Sequence, residues 1–285
     1  MGEWASWPDG EVLSDGMPIH YYRVGDRSKP AVVLLHGFTD FGLCWARLAT
    51  DLATDYDLIM VDAIGHGRSG GTGRGFRGRA GGDVLAVIAG LGLDRPAIIG
   101  HSMGAGTAAG VAAEAPDTIR ALVLEDPGWR DAVATSTEAG VTGAPTGSRA
   151  ALGSPSWIDW VKGFKALSAE ERYARAAIER PEWAEAERLP WADAKALLDL
   201  AVFDEPRATG PTPWREVARR ISCPTLLLTA DPARGGIVTP GVAEEALGYW
   251  REGRVVNLPG AGHNIRREAY GPSLAAVSEF LGSNR

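Results

Sequence analysis

Apolar residues in the first half of the chain fall in short continuous runs, at 31–35, 58–61, 97–99 and 119–124. A strand with both faces buried reads this way, because neither side of its pleat meets water. Between the runs, residues 45–52, 83–90 and 105–115 carry apolar or small side chains in helix-length stretches. Ahead of them, residues 11–13 and 19–24 alternate in polarity around Asp15-Gly16, which predicts an N-terminal β-hairpin. Strand and helix in regular alternation predict an α/β fold: a mostly parallel, doubly wound sheet with helices on both faces.

The alternation stops after Pro127. Residues 128–153 are rich in Gly, Ala, Ser and Thr and read as a connection. Helical stretches at 157–167, 170–180 and 191–203 follow with no strand between them, and Ser168 with Glu171 fits a capping box ahead of the second. Helices inserted into a strand–helix series predict a lid: a core of residues 1–127 and 214–285, with a helical cap at 128–213. The series resumes with strands at 223–228 and 254–258 and helices at 242–249 and 273–281.

Composition narrows the function without naming it. The chain has 285 residues, 45% of them hydrophobic, and a formal charge of −7, which disfavours nucleic acid and anionic membranes as partners. No apolar run nears the roughly 18 residues of a membrane span. Cys44 and Cys223 sit beside apolar runs and read as buried thiols, not a disulfide framework. Residues 1–10 lack the basic and apolar regions of a secretory leader, and the myristoylation pattern at 1–6 reads as chance, so a cytoplasmic location is expected. A literal G-x-G-x-x-G at 73–78 stands about a dozen residues past the nearest strand and reads as loop, not as a dinucleotide site. No His/Cys/Asp set has metal-ligand spacing, so neither metal nor cofactor is expected.

The chemistry centres on Gly100-His101-Ser102-Met103-Gly104, between a buried strand and an Ala/Gly-rich helix. That context suits a nucleophile elbow, where a strained turn lifts a serine hydroxyl clear of the sheet and crowding demands glycine on either side. The Met103 amide, at the start of the helix, is placed to stabilise an oxyanion. A serine needs a base poised near neutral pH. Of the five histidines, His263 lies late in the chain, in a Gly-rich loop after a strand, where its ring can reach Ser102.

These motifs resemble the α/β-hydrolase superfamily in its cap-bearing serine esterase and lactonase branch. His36-Gly37-Phe38 matches the family's oxyanion loop, which implies that the Phe38 amide pairs with that of Met103. Asp62 and Gly65-His66-Gly67-Arg68-Ser69 resemble the family's turn after the next strand, and Pro259-Gly260-Ala261-Gly262-His263 its histidine loop. The resemblance implies an acid after the strand that follows the cap, where Asp231 stands. There, however, Ala233-Arg234-Gly235-Gly236 separate it from Ile237-Val238-Thr239-Pro240, a spacing that departs from the family's. The alternative is Asp126, on the strand end used by some haloalkane dehalogenases and zearalenone-type lactone hydrolases. Asp231 is preferred.

Trp157, Trp160, Trp183 and Trp191 crowd the cap and are candidate pocket walls, which favours an apolar or aromatic small substrate. Arg266 and Arg267 read as a solvated helix face. The expected reaction is hydrolysis of a small-molecule carboxylic ester or lactone through an acyl-serine. Hydrolytic C–C cleavage on the same residues and a slow small-molecule receptor are the alternatives. Branches with an aspartate nucleophile are disfavoured by Ser102.

Overall fold

The computed structural model describes residues 6–71, 76–130, 155–204 and 213–285. Residues 1–5 of the pattern at 1–6, residues 73–75 of the Gly/Arg motif at 73–78 and residues 131–153 of the connection at 128–153 lie outside the described residues. Eight strands form one sheet: β1 Asp9–Ser14, β2 Met17–Gly25, β3 Ala31–Leu35, β4 Asp57–Val61, β5 Ala97–His101, β6 Ala121–Glu125, β7 Thr225–Thr229 and β8 Gly253–Asn257. Their order is β1-β2-β4-β3-β5-β6-β7-β8, with the hairpin antiparallel at one edge and β3 to β8 parallel. Every residue of β3 to β7 is buried, as their unbroken apolar runs require. The edge strand β8 is the exception.

Alternate residues of each strand feed opposite faces. Val33, Ile59, Ile98, Leu122 and Leu227 pack on one side against α2 (Phe76–Gly90), α3 (Met103–Glu114) and α7 (Trp214–Arg220). Val32, Leu34, Leu58, Ile99 and Leu226 pack on the other against α1 (Ala46–Leu52) and the last helix. Chain order reverses at β3, since the next strand lies to one side of it and β5 to the other. In an open parallel sheet the crevice over such a reversal is the natural binding site, because loops diverge there from neighbouring strand ends. The loops after β3 and β5 carry Phe38 and Ser102.

Between β6 and α7 the described residues hold α4 (Pro155–Lys165), α5 (Ala169–Glu179) and α6 (Glu185–Leu197) and no strand. These helices bury a small core of their own, Phe164, Ala176, Trp183, Trp191 and Ala192. The Ser168–Glu171 capping box opens α5. The third helix starts six residues earlier than the pattern predicts, because Pro190 lies inside α6 instead of opening it. Its predicted end also differs: α6 stops at Leu197 and Leu200–Phe203 form a separate 3-10 turn. The short helix α7 has no counterpart in the sequence reading. The remaining helices are α8 (Pro240–Leu247), α9 (Ile265–Glu268) and α10 (Tyr270–Ser283). No helix among the described residues is long and apolar enough to cross a membrane.

Candidate active site

Ser102 stands between β5 and α3 with φ 53° and ψ −109°, outside the regions an L-residue ordinarily occupies. Such a residue stores roughly 1–3 kcal/mol of strain, held by its surroundings. The Ser102 amide donates to the Glu125 carbonyl at 2.9 Å, and its own carbonyl accepts from Gly106 at 3.0 Å. Crowding fixes the flanking residues. A Cβ on Gly100 would lie 2.3 Å from the Gly104 carbonyl oxygen, and one on Gly104 would lie 2.2 Å from that of Leu35. Both obstacles are backbone. Gly104→Ala is therefore expected to lower stability by about 1–3 kcal/mol through overpacking, read as a drop in the urea midpoint, and to reduce activity further by tilting the turn.

His263 completes a chain of hydrogen bonds. Its Nε2 lies 2.9 Å from Ser102 Oγ and its Nδ1 lies 2.6 Å from Asp126 Oδ2. An ionised carboxylate only accepts, so the proton belongs on Nδ1 and leaves Nε2 free to accept from the serine hydroxyl. Asp126 is fully buried at the end of β6, with φ 43° turning its side chain toward the histidine. Its Oδ1 accepts from the Ile237 and Val238 amides at 3.0 and 2.9 Å, and the Ile237 amide also reaches Oδ2 at 2.9 Å.

The carboxylate set against His263 is that of Asp126, not of the preferred Asp231. Asp231 follows β7, but its carboxylate accepts from the Ala233 amide at 2.9 Å and caps a 3-10 turn. It does not border the cavity that contains Ser102 and His263. The unusual spacing after it has a physical role instead. Gly235, at φ 96°, and the turn at Gly236 bring the Ile237 and Val238 amides back onto Asp126. Asp231→Asn is expected to change kcat by no more than about tenfold in ester assays, since asparagine caps the same turn.

Three further histidines, His36, His66 and His101, are buried and held neutral. His36 accepts the Ala63 amide on Nε2 at 3.0 Å and donates from Nδ1 to the Gly37 carbonyl at 2.8 Å, tying the loops after β3 and β4. His101 donates from Nε2 to the His263 carbonyl at 3.0 Å, which holds the histidine loop over the elbow. Burial lowers the pKa of His36, drops His101 well below the ordinary value, and takes His66 from 6.5 to about 3, with His36 adding to the effect on His66. Below about pH 6.5 the unfolded chain takes up protons that these folded side chains refuse. Each therefore loses stability as pH falls through that window, and for His66 the slope approaches about 1.4 kcal/mol per pH unit. Glu187, raised by burial, acts in the opposite sense and offsets part of it. Urea midpoints are expected to fall steadily from about pH 7 to about pH 5; an unchanged midpoint would contradict the neutral assignment.

A buried ionic network ties the inserted helices to the loop after β3 and to α9. Asp40, two residues past Phe38, meets Arg267 at 2.8 Å and Lys195 at 3.5 Å. Lys195, on α6, donates to the Thr39 carbonyl at 2.9 Å, and Arg267 reaches Glu187 at 3.4 Å. Burial alone would raise the Asp40 pKa, but Arg267, Lys195 and Arg266 outweigh it and hold the carboxyl well below its usual range. Arg266 pairs with Glu125 at 3.1 Å and lies over the Trp45 ring. Arg266 and Arg267, expected in solvent, are 1% and 4% exposed. Sequence spacing gave no sign of this, because the partners of adjacent arginines come from four different elements.

A cavity of about 970 Å³ opens above Ser102 and His263, and Phe38, Met103, Trp157, Trp160, Trp183 and Trp191 all border it. Phe38 stacks on Trp157 with ring centroids 5.7 Å apart, and Trp183 meets Trp191 edge-on at 5.5 Å. Among the described residues no group of three or more His, Cys, Asp or Glu side chains gathers to hold a metal. A serine on a strained turn, hydrogen-bonded to a histidine that a buried carboxylate also contacts, beside a cavity, is an arrangement suited to acyl transfer.

Fold and site define an α/β hydrolase. The sequence profile of the alpha/beta hydrolase family matches residues 32–271, and the chain belongs to that family. It is similar to an N-formylmaleamate deformylase of Pseudomonas putida, 28% identical over 95% of this chain and 96% of that one. Further curated relatives match over between 32% and 42% of their own length. The fold is similar to that of an esterase from Rhodococcus sp. ECU1013, at TM-score 0.68 and 24% identity over 97% of this chain and 99% of that one. An N-acyl homoserine lactone degrading enzyme matches at TM-score 0.68 and 21% identity, over 95% of this chain and 100% of that one.

Proposed function

We propose that this chain is a serine hydrolase that cleaves a small carboxylic ester or lactone through an acyl-serine. The observation that carries the reading is His263 set between Ser102 at 2.9 Å and the buried Asp126 at 2.6 Å, beside an aromatic cavity. Ser102 attacks the carbonyl as His263 takes its proton. The developing oxyanion is held by the Phe38 and Met103 amides, and His263 then returns the proton to the leaving oxygen. Asp126 fixes the tautomer and stabilises the imidazolium. Residues 128–213 act as the cap, with Trp157, Trp160, Trp183 and Trp191 as substrate walls.

A second reading, cleavage of a small N-acyl amide, is favoured by the deformylase relative that matches over nearly the full length. The same residues serve both, since only the leaving atom changes. A series of 4-nitrophenyl esters graded by acyl length, with matched anilides, tests the two together. Rapid release of one equivalent of nitrophenol before the steady state is the expected sign of an acyl-enzyme. Turnover of anilides alone would move the function to amides, and release without any burst or labelling at serine would overturn the acyl-serine route.

A further inference from the structure

Several cations border the cavity above Ser102, and the structure accounts for most of their charge in different ways. Lys195 and Arg267 are neutralised by Asp40 and Glu187, while Arg234 is exposed to solvent. Arg180 is different. It follows α5 at the edge of the inserted helices, and its backbone is pinned by bonds to Ala176 at 2.9 Å and Trp183 at 3.2 Å. Its guanidinium lies over the rings of Trp183 and Trp191, at 5.1 and 5.6 Å from their centroids. Among the described residues its side chain forms no ion pair and no hydrogen bond, and its Nε is buried without a partner.

Arginine does not lose its proton in a protein, so this charge persists, and no described residue forms an ion pair with it. Burial works against it and lowers its pKa, and the fields of Glu182, Glu179 and Glu268 offset only part of that burden. Glu182 is exposed, and Glu179 is engaged by Arg175 and Trp160. Glu268, which also borders the cavity, accepts from the Gly262 amide at 2.7 Å. A planar guanidinium stacked on indoles and lacking an acceptor is a preorganised fork for a carboxylate, which would supply both the missing charge and the missing acceptors. The indoles beside it suit the apolar part of the same molecule.

We propose that Arg180 is an anion-recognition residue of this cavity, and that the substrate is a small ester or amide carrying a free carboxylate. The proposal rests on the acyl-serine reading for its reaction, but binding can be read without turnover. The probes are mono-4-nitrophenyl glutarate and its neutral counterpart 4-nitrophenyl pentanoate, whose chains are similar in length. In Ser102→Ala, tryptophan fluorescence is expected to show binding of the glutarate ester at least about tenfold tighter than of the pentanoate. In the double variant with Arg180→Gln that ratio should fall toward one, and Arg180→Lys should keep part of it. A purely structural role for Arg180 would weaken both ligands together and leave the ratio unchanged. Equal affinity for the two esters, or none for either, overturns the proposal, as does a preference that survives Arg180→Gln. With Ser102 restored, turnover of both esters without preference would sink the anion site and leave the acyl-serine reading standing. Selective binding with no turnover of either would do the reverse.

Discussion

Asp126→Asn is expected to lower kcat for ester hydrolysis on the order of 10⁴-fold while the chain stays folded. The reason lies in which oxygen faces which donor. Oδ1 accepts from the Ile237 and Val238 amides, and Oδ2 faces His263 Nδ1 at 2.6 Å. An asparagine keeps its oxygen on the two amides and so presents its NH2 to the histidine. The imidazole must then accept on Nδ1 and carry its proton on Nε2, the nitrogen that has to receive the proton of Ser102. Geometry is preserved and the tautomer is wrong. Far-UV circular dichroism and the urea midpoint report the fold, and kcat on a 4-nitrophenyl ester reports the chemistry. If Asp231→Asn proved the more damaging of the two, the acid would have to be moved to the end of β7.

How far the chain could be read in advance follows from where each piece of information resides. Strands buried on both faces announce themselves, because β3 to β6 must be apolar at nearly every position wherever they sit in the sheet. The elbow is equally local: the glycines at 100 and 104 answer to backbone atoms at 2.3 and 2.2 Å. The placement of His263 beside Ser102 could be read in advance because a Gly-rich loop after the last strand has few structural reasons to hold a histidine. The acid could not. The choice between Asp126 and Asp231 depends on a positive φ at Asp126 and on amides 111 and 112 residues away that fold back onto its carboxylate. The extra residues after Asp231 departed from the expected pattern, yet their function appears only once the loop is closed. The start of the third inserted helix was likewise not legible at 191, since α6 begins at Glu185 and carries Pro190 inside it.

Ser102→Ala is expected to reduce kcat on the order of 10⁶-fold, the larger of the two losses, because it removes the attacking atom and not merely the alignment of its base. The residual rate should remain above that in water, from the oxyanion amides and the bound geometry. Stability should change little. Alanine lacks only the hydroxyl, and the backbone at φ 53° is held by the amide bond to Glu125 at 2.9 Å and by the glycines on either side. A fluorophosphonate should add a single label per chain, mapped by mass spectrometry to the peptide that contains Ser102, and the alanine variant should take none. The phosphonate mimics the tetrahedral state, so labelling requires the hydroxyl, the base and the oxyanion amides to act together. Labelling at another residue, or ester turnover that survives Ser102→Ala, would remove Ser102 from the mechanism. Labelling at Ser102 without turnover of any ester, lactone or amide would separate a reactive serine from a functioning hydrolase. That outcome would favour a receptor that keeps the site and has lost the second half of the reaction, in which water must reach the acyl group on the side His263 faces.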